Sequence, residues 1–131
     1  KGSIMSIERH MVPGMRTPVS HFCHVVKAGD MIWLSGMTGV AEDKSIPDST
    51  VEQFKLAMAA LHKALVAAGG NSDQIVKVQV FMTDISEREL INPIRVEYFK
   101  EHKPASTLVE VSGLVDPRMK VEIEAVAYIG E

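Results

Sequence analysis

The 131-residue chain has one cysteine, Cys23, few aromatic residues (one Trp, two Tyr and four Phe) and no excess of positive charge. Each scarcity excludes something. A lone thiol forms no intrachain disulfide, and its rarity suits a reducing, cytoplasmic setting. No apolar run approaches the ~18 residues of a membrane helix, so no membrane partner is expected. Lys and Arg number 14 against 17 Asp and Glu, giving a net charge of −3 without a basic stripe. Nucleic acid is strongly anionic and selects for such a stripe, so it is not expected as a partner. No repeat, low-complexity stretch or linker divides the chain. Gly36-Met37-Thr38-Gly39 is too short for a phosphate or dinucleotide loop. Lys1-Gly2-Ser3-Ile4 reads as an expression remnant ahead of Met5, with no charged-then-apolar leader behind it. Residues 5–131 then form one domain.

What is present is an ordinary globular composition, 46% hydrophobic and 24% charged. Val19 to Leu34 is apolar on both sides of Ala28-Gly29-Asp30, which predicts a hairpin whose second strand ends at Ser35-Gly36. Thr50 with Gln53 matches a capping box, with Ser49 as the other candidate cap. Phe54, Met58, Leu61, Leu65 and Ala68 share one face of a helix over Val51–Ala68, stopped by Gly69-Gly70. Ile75 to Met82 alternates as a strand. Asn92-Pro93 reads as an N-cap and first helical residue, opening a helix that ends near His102. Ser106–Ser112 and Lys120–Tyr128 supply two more strands. The expected order is β-β-α-β-α-β-β, an α+β fold with one mixed sheet and two helices on one face. The other face carries Val and Ile as well, and a subunit partner is its natural cover.

Few residues offer chemistry. In a strand, His21 and Cys23 share a face and His24 points away. Three ligands on one metal would need a bend there and a fourth group from elsewhere. The plainer expectation is a buried Cys23, histidines lining a cleft or interface, and no metal. Glu122 and Glu124 share one face of the last strand. Glu122 reads as solvated, whereas Glu124, between Ile123 and Ala125, is placed to have a shifted pKa and to orient water. Met37, Met58 and Met82 read as core fillers.

Taken together, several segments resemble the RidA/YjgF family from about Val12 to Ile129. They are Ala28-Gly29-Asp30 with Trp33-Leu34-Ser35-Gly36; Gln53 in a helix ending Ala67-Ala68-Gly69; and Val76-Lys77-Val78 with Val80-Phe81. They continue with Asn92 and Tyr98-Phe99, Pro104-Ala105, Val109-Glu110-Val111, and Val121 through Ala127. The resemblance implies a chorismate-mutase-like fold and a homotrimer with clefts between subunits. It implies hydrolysis of reactive imines, formed from enamines, to 2-keto acids and ammonia, without metal or organic cofactor. An arginine binds the substrate carboxylate and a last-strand glutamate, matched here to Glu124, positions water. Asn92, Ser35 and Gly36 match as binding residues.

The chain departs from that pattern at two places. Deaminase members read Pro-Ala-Arg where this chain reads Pro104-Ala105-Ser106. Serine cannot form a bidentate, charged bond to a carboxylate, a loss of about 3 kcal/mol or more, a hundredfold or worse in rate, so canonical 2-imino acid deamination is expected to be lost or altered. The early Pro-Tyr-Ser-Gln stretch becomes His21-Phe22-Cys23-His24, and the pattern of Phe22, His24 and Val25 looks closer to the branch containing 2-aminomuconate deaminases. Phe22 and His24 then join the candidate small-molecule site. Arg118, Arg16 and Lys103 are the candidate replacements for the missing cation. A divergent C=N hydrolase and a non-catalytic binding trimer are both consistent with this reading. The old endoribonuclease label of the family is disfavoured by the charge.

Overall fold

The computed structural model describes residues 6–130, so Lys1-Gly2-Ser3-Ile4 and the boundary at Met5 lie outside it. The strands are β1 (Ile7–His10), β2 (Val25–Ala28), β3 (Met31–Thr38), β4 (Ile75–Met82), β5 (Ala105–Glu110) and β6 (Val121–Tyr128). The helices are α1 (Thr50–Ala67) and α2 (Arg88–Phe99). They form one six-stranded sheet in the order β1-β2-β3-β6-β4-β5. The expected mixed sheet with two helices is present, preceded by one extra strand. That strand, Ile-Glu-Arg-His, is mostly exposed and carries no alternation to announce it.

β3 and β4 both run antiparallel to β6, which lies between them, and β4 runs parallel to β5. Helices α1 and α2 are therefore crossovers that step the same way across the sheet. Crossovers of one hand moving in one direction lie on one face. The core forms there: Ile32, Leu34 and Met37 of β3, Val78, Val80 and Met82 of β4, and alternate residues Val121 to Ala127 of β6 are buried against α1 residues Phe54, Leu61 and Leu65.

Local chemistry corrects several expectations. The hairpin turn falls at Gly29, whose φ of +58° suits glycine. Its first strand, however, begins at Val25, and residues 19–24 are irregular. The second strand does not end at Ser35-Gly36. Between Leu34 and Met37 its register against β6 shifts by one residue, a bulge, and the strand continues to Thr38. A second register shift between Ile75 and Lys77 exposes Val76 while Ile75 stays buried.

Ser49 caps α1, its side chain accepting from Glu52 N. Gln53 is instead fully buried. Its amide donates to Pro47 O at 2.7 Å and Arg118 O at 2.9 Å, and its Oε1 accepts from Lys120 N at 2.8 Å. Asn92-Pro93 does not open α2: the helix starts at Arg88 and ends at Phe99, with Pro93 inside it. Asn92 is exposed, and Val96, expected on the apolar side, is exposed too.

Candidate functional site

The bulge in β3 creates one side of the site. It turns Ser35 and Gly36 out of the regular pleat. Ser35 Oγ donates to Cys23 O at 2.6 Å, pinning the irregular segment before β2. Gly36 packs directly under the tip of the Glu122 carboxylate, and a Cβ at Gly36 would overlap it. Glu122 comes from β6, where it pairs with Thr38 on one side and Phe81 on the other. It projects from the face opposite the helices, because Val121 and Ile123 point into the core.

An open cleft of about 810 Å³ lies beneath the Gly14–Ser20 loop. Phe22, His24, Gly36 and Glu122 all line it, with Arg16 at its loop wall. Phe22 is 46% exposed and forms an apolar wall. Burial, and secondarily the charge of Glu124, raises the pKa of Glu122 above the usual carboxyl value.

The sequence pointed to Glu124 and set Glu122 aside as solvated. In the structure Glu122 lines the cleft, and Glu124, likewise partly buried, lies further along β6, opposite Gln79. The bulge is the reason. Strand alternation puts both glutamates on one face, and only the position of Gly36 tells which of them meets the cleft.

His24 is 5% exposed, and both its ring nitrogens are committed to the backbone. Nδ1 accepts from Val12 N at 2.8 Å and Nε2 donates to Arg16 O at 2.8 Å. That tautomer ties the loop to β2 and leaves neither nitrogen for a ligand. Cys23 is half-buried rather than buried, its Sγ 3.6 Å from Val25 O. Among the described residues, no three His, Cys, Asp or Glu side chains gather to hold a metal.

The remaining candidates lie elsewhere. Arg118 is exposed, and Asp116 closes its fork at 3.0 and 2.9 Å. That pair raises the pKa of Arg118 and holds Asp116 at about 2. Lys103 is exposed in the turn before β5. Ser106 and Asn92 sit at the β5–α2 edge. From β5 to β3 is three strand spacings, roughly 14 Å, and to β6 two, roughly 10 Å, and the pairing of Ser106 with buried Val78 puts it on the helix face, opposite to Glu122. One chain therefore does not bring Ser106 and Asn92 to Gly36 and Glu122.

A residue the sequence did not single out stands at that edge. Arg95 of α2 donates through Nη2 to Ser106 Oγ at 2.6 Å. Its spacing from Asn92 put it on the same side of the helix, but nothing in the sequence signalled its reach to β5.

A six-stranded sheet with two crossover helices on one face and a carboxyl-lined cleft marks an α+β domain of a recurring architecture. The family model described as Endoribonuclease L-PSP matches residues 15–129, and the chain belongs to this family, the RidA/YjgF proteins. Reactive Intermediate Deaminase A, chloroplastic, of Arabidopsis thaliana is 25% identical over 131 residues, covering 97% of this chain and 70% of the relative. TdcF of Escherichia coli K12 is 32% identical over 125 residues, covering 92% and 94%. The crystal structure of RidA from the Antarctic bacterium Psychrobacter sp. PAMC 21119 superposes with a TM-score of 0.82 at 28% identity, covering 86% of this chain and 92% of that one. Among the described residues, no helix is long and apolar enough to cross a membrane.

Proposed function

We propose that this protein hydrolyses a small carboxylate-bearing imine to a keto acid and ammonia, in a cleft completed by a neighbouring copy of the chain. The observation that carries the reading is the Glu122 carboxyl, half-buried on Gly36 and open to the cleft. It replaces Glu124 as the proton-handling group. Water adds to the imine carbon, its proton passing to the Glu122 carboxylate and from there to the nitrogen. The carbinolamine's hydroxyl proton then passes by the same carboxylate to the amine, which leaves as ammonia while the C=O bond forms. A carboxyl with a raised pKa exchanges protons in both steps more readily than an ordinary one. Gly36, Ser35 and Phe22 shape the cleft around it.

The open sheet face supports assembly, as a homotrimer in this reading. Trp33, Val109 and Tyr128 are exposed on it, an apolar area that a partner copy would cover. A neighbour's β5–α2 edge laid there would bring its Asn92 and Ser106 to the Glu122 cleft. In this reading residues 5–131 act as one cytoplasmic domain without a cofactor. Ser106 in place of arginine alters which imine is accepted. The same serine favours a second reading, a trimer that binds a small ligand without turning it over. A net charge of −3 disfavours RNA as the substrate.

The test is decay of 2-iminobutyrate, generated in situ, with and without the protein. Wild type should accelerate it, and Glu122→Gln should lose about a hundredfold, while Glu124→Gln loses far less. No acceleration by wild type overturns the enzymatic reading. A rise in melting temperature with 2-oxobutyrate would then leave the binding reading in place.

A further inference from the structure

We propose that Arg95 supplies the cation that binds the substrate carboxylate, acting from α2 beside the strand position that Ser106 occupies. This rests on the carboxylate-bearing substrate proposed above. Arg95 follows Asn92 by three residues, so both side chains leave the same side of α2. Its Nη2 donates to Ser106 Oγ at 2.6 Å. The guanidinium is half-buried, and burial lowers its pKa. Among the described residues no Asp or Glu forms an ion pair with it.

A partly desolvated cation without a counter-ion is unfavourable, and an arriving anion offsets that cost. Guanidinium carries five N–H donors in a planar fork. The single bond to Ser106 leaves donors free for a bidentate carboxylate, the planar anion the fork matches best. Two of the other cations are less suited. Arg118 is already closed by Asp116, and Lys103 is an exposed point charge in the turn. Ser106 also acquires a purpose. A second arginine at 106 would crowd Arg95 with a like charge, whereas a hydroxyl accepts from it and aims it. The cation has moved from the strand to the helix, and the serine is the residue that permits the move.

The experiment compares wild type, Arg95→Ala, Arg95→Gln, and Arg95→Ala combined with Ser106→Arg. Calorimetry measures binding of 2-oxobutyrate and of its uncharged methyl ester, kinetics follow 2-iminobutyrate, and light scattering monitors assembly. Arg95→Ala should weaken 2-oxobutyrate binding about a hundredfold and raise KM, with the ester unchanged. The double variant should recover most of the loss. Arg95→Gln keeps a donor for Ser106 without the charge, so it carries the same test should Arg95→Ala disturb assembly.

Unchanged 2-oxobutyrate binding in Arg95→Ala overturns the proposal, and equal weakening of acid and ester assigns Arg95 a structural role, which also overturns it. Hydrolysis by wild type that is indifferent to Arg95 sinks this inference and leaves the proposed function standing. Arg95-dependent binding without hydrolysis does the reverse. A wild type that neither binds nor hydrolyses sinks both.

Discussion

The two faces of the sheet differ more than its two ends. On the helix side, β3, β4 and β6 present Ile, Leu, Val, Met and Ala, and nearly all are buried. On the open side the same strands present Trp33, Val126 and Phe81 interleaved with Lys77, Gln79, Glu122 and Glu124. A strand alternates its side chains, so one stretch such as Val121–Tyr128 writes both faces at once. The odd positions hold the fold and the even positions carry charge and the exposed apolar surface. The difference teaches where each substitution will be felt. The closed face should answer in stability and the open face in activity and assembly.

The strongest way to break that contrast is to truncate the closed face. Ile123→Ala removes a fully buried side chain packed among β-strand valines and α1. A cost of about 2–5 kcal/mol is expected from lost transfer energy and the cavity left behind. Denaturant midpoints at constant slope would measure it. A cost below about 1 kcal/mol would mean that this face is not the core that sustains the fold.

A sharper version uses one substitution at two glycines three residues apart. A Cβ at Gly39 would collide with the Gln53 backbone, which sits at the start of α1 and cannot give way. Gly39→Ala should cost several kcal/mol, on the scale of overpacked sites. A Cβ at Gly36 meets the flexible tip of Glu122. Gly36→Ala should hold stability within about 1 kcal/mol and lower imine hydrolysis roughly ten- to a hundredfold by displacing the carboxylate. The comparison collapses should both variants lose stability equally.

Assembly probes the open face directly. Trp33 is 44% exposed there and pairs across β3–β6 with Val126. Trp33→Lys puts a charge into the surface proposed to be shared between copies, where an unpaired charge is disfavoured. Light scattering should show smaller particles and hydrolysis should fall, while the unfolding transition stays cooperative. A wild type that is already monomeric would remove the proposed intersubunit cleft.

The fold was legible wherever alternation or helical period ran uninterrupted. Val121 to Ala127 announced its buried face, and Phe54, Leu61 and Leu65 announced α1. What escaped was set by interruptions. β1 has no alternation at all. Pro93 suits a first helical turn, yet α2 begins five residues earlier and leaves Glu89 without an i→i+4 donor. The site was less legible than the fold, because it depends on one inserted residue and on reach across the sheet. The β3 bulge brings Gly36 to Glu122 rather than to Glu124, and no spacing rule reports that. Arg95 of α2 meets Ser106 of β5 through the reach of one long side chain, which no spacing rule reports either. Asn92, Ser106, Phe22 and Gly36 are spread over both halves, which is why a single chain does not assemble them.

The smallest expected effect concerns Glu122 itself, and its sign is opposite to that of the core variants. Burial and the nearby Glu124 raise its folded pKa above the unfolded one. The folded state therefore favours the protonated carboxyl. That stabilisation is fully present below the unfolded pKa and is lost as pH rises through the raised folded value. Near neutrality the ionised, partly desolvated carboxylate works against folding. Glu122→Gln keeps the shape without the charge, so it should melt higher than wild type at pH 7, by on the order of a few degrees given solvent screening. At pH 4, where the wild-type group is largely protonated, the difference should shrink. Paired thermal melts at the two pH values measure it. A Glu122→Gln variant less stable at pH 7 would show that the carboxylate supports the fold, and the open face would then share a duty assigned here to the closed one.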